Sequence, residues 1–190
     1  MTKASFDLVI VGVGGQGTLL ASKILGRLAL SENCGVKVSE VHGMSQRGGS
    51  VITHVRVGDR VHSPIVAAGS ADYLLSFEAL EAARAAGFLK PGGVVITNTQ
   101  EILPMPVITG AMSYPDDPLA ALKDCRVESA DALAIAVACG SARALNLVLL
   151  GMLSRHLPFS DAAWRDAIAA CVPAKALETN LLAFERGRTL

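Results

Sequence analysis

Six residues, Gly12-Val13-Gly14-Gly15-Gln16-Gly17, constrain the fold of this chain more than any others. They follow Phe6-Asp7-Leu8-Val9-Ile10-Val11, a β-branched apolar run of the kind that forms a strand buried on both faces. They precede Thr18 to Leu30, where Leu19, Leu20, Ile24 and Leu28 recur at helical spacing. Strand, glycine turn, helix is the context that gives a GxGxxG pattern meaning. Glycine allows the tight turn, and the free N–H groups of the helix start favour an anion. Val36 to Val41 reads as a second strand, so a β-α-β unit with a right-handed crossover is expected. Glu40 falls near the end of that strand, where a dinucleotide fold places the acid that binds an adenine ribose. A turn that only packs helix against strand, and holds nothing, fits the same residues.

Further along, Ser50 to Val57 alternates, Gly58-Asp59 is a turn dipeptide and Arg60 to Ile65 returns, which predicts a hairpin. Strands are expected at Ala71 to Phe77, Val94 to Thr97 and Arg126 to Glu128, with a short one at Val107-Ile108-Thr109. Helices are expected at Glu78 to Gly87, Asp131 to Cys139, Ala142 to His156, Ser160 to Ala170 and Pro173 to Arg186. The alternation predicts one α/β domain over residues 1–190: a Rossmann-like, mostly parallel sheet with a β-hairpin insertion and a C-terminal helical segment.

A second loop, His42 to Gly49, sits at the carboxyl end of the second strand, the edge where open α/β sheets bind ligands. His42, Ser45, Gln46 and Arg47 offer many donors, and Gly43, Gly48 and Gly49 free the backbone. Arg47 is the best candidate for phosphate or carboxylate, because its fork matches those groups bidentately. Cofactor-binding candidates are therefore Gly12, Gly14, Gly15, Gln16, Gly17, Glu40, His42, Ser45, Gln46, Arg47, Gly48 and Gly49. A solvated loop is the plainer alternative for the second set. No catalytic set is found: there is no GxSxG elbow and no GxxxxGK[ST] loop. His54 and His62 are expected at the surface or in partner contacts, Asp116-Asp117 in a solvated turn and Asp72 as a cap or turn residue.

Composition narrows the function. Lys+Arg and Asp+Glu are both 17, which excludes a protein held to nucleic acid by phosphate attraction. Hydrophobic residues make up 51% and charged ones 18%, against about 25% in ordinary soluble domains, and the mean hydropathy is +0.44. Either a membrane or a large buried interface would explain that. The longest uncharged stretch, Leu8 to Ser22, is 15 residues and holds four glycines, short of the ~20 a spanning helix needs. Ala132 to Leu153 carries Arg143 and Asn146 and reads as buried helix. No signal-peptide layout is seen at the N-terminus, so a cytoplasmic location is expected. Cys34, Cys125, Cys139 and Cys171 make no close pair, so neither zinc nor an iron–sulfur cluster has a ligand set, and they read as buried small hydrophobes.

Three segments together carry a resemblance: Val9 to Gly17, Glu40 to Gly49 and Asn180-Leu181-Leu182-Ala183-Phe184-Glu185-Arg186-Gly187. In order and over nearly the whole chain they resemble the gamma-type domain of the 2-oxoacid:ferredoxin oxidoreductases. The His-Gly-Met-Ser-Gln-Arg-Gly-Gly form is most similar to the small subunits of the branch acting on indolepyruvate and other aryl 2-oxoacids. The resemblance implies oxidative decarboxylation of a 2-oxoacid to the acyl-coenzyme A, with electrons passed to ferredoxin. It implies a large alpha subunit that carries thiamine diphosphate, magnesium and 4Fe-4S clusters, and a small subunit that holds none of them and is inactive alone. Under the resemblance, this chain's loops would either contact coenzyme A or close over the active site of the large subunit. A free-standing dinucleotide-binding protein using Gly12–Gly17 and Glu40 is the alternative.

Overall fold

The computed structural model describes residues 4–42 and 49–190, with His42 described through its backbone. The strands are β1 (Phe6–Val13), β2 (Gly35–His42), β3 (Ser50–Gly58), β4 (Ala71–Ser76), β5 (Leu89–Asn98) and β6 (Arg126–Ala130). The helices are α1 (Thr18–Ser31), α2 (Ala79–Ala85), α3 (Met105–Ile108), α4 (Ala132–Ala138), α5 (Leu145–Ser154), α6 (Asp161–Cys171) and α7 (Leu177–Arg188). Six strands form one sheet in the order β2-β3-β1-β4-β5-β6. β1, β4, β5 and β6 pair in parallel, and β3 is antiparallel to both of its neighbours.

β1 explains the two-faced core. Leu8 and Ile10 join α1, α5 and α7 on one face, and Val9 and Val11 join α2 and Leu122 on the other. Alternate side chains of a strand point to opposite faces, so a continuous apolar run is what a strand covered on both sides requires. α5 is buried along its whole length, because α1, α4, α7 and β5 surround it. Its closest neighbour is α7. A methyl group on Gly151 would stand 2.1 Å from the Phe184 carbonyl oxygen, and one on Gly187 would stand 2.0 Å from that of Val148. Ser160 caps α6, its hydroxyl accepting from Ala163 N at 3.2 Å. Among the described residues, no helix is long and apolar enough to cross a membrane.

Four expectations are corrected. The partner of β3 is β2, in a register running from Gly35↔Gly58 to His42↔Val51, and residues 60–65 form no strand. Residues 107–109 lie in a helical turn and its cap, because Pro104 and Pro106 preset the first-turn φ of α3. His54 is buried. Val66 N donates to its Nδ1 at 3.4 Å, and its ring meets the edge of Phe88 at 5.5 Å. Asp72 lies inside β4 and accepts from Asp7 N at 2.7 Å and from Lys90.

Burial holds the His54 imidazole below its ordinary pKa. Its neutral form is favoured in the folded state, so its contribution is complete above about pH 6.5. That contribution is lost as pH falls below that value, where the unfolded chain takes up the proton first. Denaturant midpoints of the wild-type chain should therefore fall from pH 7 to 5 by more than those of His54→Phe. Parallel curves would show that His54 titrates alike in both states.

Candidate functional site

α1 leaves β1 toward one face of the sheet and α2 leaves β4 toward the other, so the neighbouring carboxyl ends of β1 and β4 form the switch point of the sheet. In open α/β folds this is where ligands bind. The glycine turn lies there. Gly15 and Gly17 adopt φ of +101° and +91°, the left-handed region that glycine enters without strain. Gly15 has open space where a Cβ would be, and Gly17 forms the N-cap of α1 with no side chain to cap it.

The Gln16 side chain folds back across the switch point. Its Oε1 accepts from Val13 N at 2.8 Å, and its Nε2 donates to the Phe77 carbonyl at 2.9 Å and to Gln100 Oε1 at 3.4 Å. Asn98, fully buried at the end of β5, donates to the same Phe77 carbonyl at 3.1 Å and accepts from Ala132 N at 3.0 Å. A chain of amides thus ties β1 to β4, β5 and the start of α4. Gly12 must be glycine here, since a Cβ would lie 2.9 Å from both Gln16 Oε1 and Phe77 Cβ.

Beneath Gly17 stands Asn146, in the first turn of apolar α5. Its Nδ2 would lie 2.9 Å from a Cβ on Gly17. It is buried, and its Oδ1 has no hydrogen-bond partner among the described residues. A second polar cluster follows β4. Glu78 is 1% exposed and caps α2 by accepting from Glu81 N at 2.8 Å, while its other oxygen accepts from Ile102 N at 3.0 Å and Tyr114 OH at 2.8 Å. Burial first, and then the bond to Glu78, push the Tyr114 phenol well above its ordinary range. Glu81, also buried, accepts from Ser50 Oγ and from Arg84 Nη1 at 2.6 Å.

The two loops singled out by sequence meet at Gly49, whose carbonyl accepts from Gly14 N at 2.9 Å. Ser50, the next residue, is tied to Glu81, so the start of β3 is pinned to both the glycine turn and α2. Ser45, Gln46, Arg47, Gly48 and the side chain of His42 lie outside the described residues. Glu40 is not brought to the turn. β3 stands between β1 and β2, which places Glu40 two strands from β1, roughly 10 Å away at ordinary strand spacing. Glu40 accepts from Thr53 Oγ1 on β3 at 3.1 Å. In a dinucleotide fold the ribose acid sits on the strand next to β1, an arrangement that β3 prevents here.

Gln100, Asn146, Glu78, Glu81 and Tyr114 were not singled out by sequence. Two signals point to them: Glu78 directly follows a buried strand run, and Asn146 is a polar residue in the first turn of an apolar helix. The described cysteines are free and lie on four separate parts of the chain, and no three His, Cys, Asp or Glu among the described residues stand together as metal ligands.

The chain matches the family model of pyruvate ferredoxin/flavodoxin oxidoreductase over residues 7–190. It is 42% identical over 191 residues to indolepyruvate oxidoreductase subunit IorB of Pyrococcus horikoshii, covering 96% of this chain and 94% of that protein. The fold is similar to that of the gamma subunit of keto/oxoacid ferredoxin oxidoreductase from Geobacter sulfurreducens, with a TM-score of 0.72 at 23% identity over 96% of this chain and 95% of that one. It is also similar to part of 2-oxoglutarate:ferredoxin oxidoreductase from Magnetococcus marinus, solved with 2-oxoglutarate, coenzyme A and succinyl-CoA. There the TM-score is 0.74 at 17% identity, over 98% of this chain and 31% of that one.

Proposed function

We propose, from the premise that this chain belongs to the pyruvate ferredoxin/flavodoxin oxidoreductase family, that it is the small, non-catalytic subunit of an oxidoreductase acting on indolepyruvate or another aryl 2-oxoacid. The observation that carries the reading is the 42% identity to a subunit of an indolepyruvate oxidoreductase over nearly the full length of both chains. The reaction is oxidative decarboxylation to the acyl-coenzyme A, with ferredoxin as the electron acceptor. A larger alpha subunit supplies thiamine diphosphate, magnesium and iron–sulfur clusters. This chain's residues do not fit those groups: its four thiols are scattered, and the carboxylates at the switch point are engaged by backbone, hydroxyl and guanidinium donors. Four free thiols suit a cytoplasmic enzyme. Residues 1–190 act as one domain whose carboxyl edge contributes to a site the larger chain completes.

Within that reading, Gly12, Gly14, Gly15, Gln16, Gly17 and the loop His42, Ser45, Gln46, Arg47, Gly48 and Gly49 form this chain's side of the coenzyme A path. The open backbone at Gly15 and the uncapped start of α1 suit an anion, and Arg47 supplies a charge. Glu40 takes a structural place between β2 and β3.

The test uses the purified complex. Arg47→Ala should lower kcat/KM for coenzyme A about tenfold to a hundredfold in indolepyruvate-dependent viologen reduction, the effect of one lost charge-assisted contact, with assembly unchanged. Normal kinetics would take the loop out of the site. A native preparation with no thiamine-containing partner would overturn the subunit reading itself.

A further inference from the structure

Twelve large apolar side chains are exposed among the described residues, and six of them share the carboxyl edge of the sheet. Leu19 lies in the first turn of α1, just past the glycine turn, and Val41 is the penultimate residue of β2. Leu103, Met105, Ile108 and Met112, between 49% and 65% exposed, follow the end of β5. Scattered exposed apolar residues need no explanation, but a concentration around one edge marks an interaction face.

The segment 102–114 is built as a finger. Ile102 N and Tyr114 OH both bond the same Glu78 oxygen, so the chain leaves and returns at one buried carboxylate. Between these anchors α3 makes a single turn of four residues, with Met105 and Ile108 at i, i+3 on one side of it. A helix that short has no stability of its own in water. Its apolar side also finds no cover within the described chain.

We propose that this edge, with the 102–114 finger at its centre, is the face on which the larger thiamine diphosphate-binding chain of the same enzyme seats. The inference rests on the subunit reading above and adds to it the docking surface. Charge selects among occupants. Residues 102–115 contain no Lys or Arg, and exposed Glu101, Asp116 and Asp117 flank them. An acidic rim repels an anionic lipid surface or a nucleic acid. In a two-fold pair of this chain the same rim would face its own copy. It fits a protein partner with an apolar pocket bordered by basic residues. Position agrees: a chain seated here covers the glycine turn, where Gly15 offers open backbone at the switch point of the sheet. In the Magnetococcus marinus protein the same fold occupies 31% of a longer chain, so it functions there built into a larger body.

The test is photo-crosslinking in the native complex, with a crosslinking residue placed singly at Met105, Met112, Val137 or Leu182. The last two lie on α4 and α7, away from this edge. Expected are adducts from positions 105 and 112 to the chain that carries thiamine diphosphate, and none from 137 or 182. A paired variant, Met105→Asp with Ile108→Asp, should retain its melting temperature and recover at least tenfold less of the thiamine-containing chain. Adducts from 105 and 112 to a second copy of this chain, or adducts to the large chain from 137 and 182 alone, would overturn the docking face and leave the subunit reading standing. Absence of any thiamine-containing chain from the purified protein would overturn both.

Discussion

Gly187→Ala should cost the fold about 3–5 kcal/mol, a large part of the roughly 5–15 kcal/mol that holds a domain of this size. The added methyl would lie 2.0 Å from the Val148 carbonyl oxygen, a backbone atom that cannot rotate away. α5 and α7 must therefore separate. That opens the packing around Phe184, which is fully buried and meets Trp164 at 5.2 Å between ring centroids. It also loosens Arg188, which spans from the Phe184 ring to Asp161 at 2.6 Å. Gly151→Ala meets the reciprocal obstacle, the Phe184 carbonyl at 2.1 Å. Because either change parts the same two helices, the double variant should cost clearly less than the sum of the singles. At about 2–4 °C per kcal/mol, each single variant should melt roughly 6–20 °C lower by calorimetry. A shift under 2 °C would mean that the helices slide without loss and that the close crossing has no energetic weight.

Glu78→Ala is the second large effect, also about 3–5 kcal/mol. The change removes the cap of α2 and leaves Ile102 N and the Tyr114 hydroxyl without their acceptor in a buried place. Glu78→Gln should recover part of the loss, since its carbonyl oxygen still serves one side, while its amide faces the Glu81 N–H as a second donor. A spectroscopic signature separates this from general loosening. In the wild type, burial and the bond to Glu78 hold the Tyr114 phenol above its ordinary range. Ultraviolet titration of Glu78→Ala in its folded range should show that phenol ionising at lower pH. If the phenol titrates as before and the melting temperature stays within 2 °C, Glu78 does not anchor the finger.

Sequence reading found most elements where local pattern decides. β1, the glycine turn and α1 were legible because a continuous apolar run, glycines and helical spacing follow one another within 25 residues. Partner choice between strands was not. Ser50 to Val57 alternates correctly, but alternation does not say which strand lies alongside. β2 offers β3 eight paired positions, whereas the 60–65 segment contains Pro64, which lacks a ladder donor. His54 was expected at the surface for the same reason: the cover over it, Val66 and Phe88, comes from elsewhere in the chain. Asn180 to Gly187 could be recognised but not explained from sequence. The structure supplies the reason, with Gly187 set against α5, Ala183 and Phe184 buried and Asn180 Nδ2 bonded to the Ala176 carbonyl at 2.7 Å. At the candidate site the glycines were found because they are rare shapes. Gln16, Asn98 and Glu78 act through backbone groups brought together by the fold, and no spacing along the chain records that.

The antiparallel strand between β1 and β2 also sets an order of assembly. β2 and β3 are joined by a short connection and can pair early, whereas Val9 meets His54 only after a loop of more than forty residues closes. Until that ribbon docks on one side and β4 on the other, β1 presents bare edges of valine and isoleucine, the kind of strand that recruits strangers. Nascent chains of this protein are therefore most vulnerable to clumping between synthesis of β1 and arrival of β4, and the length of that window is itself a property of the topology.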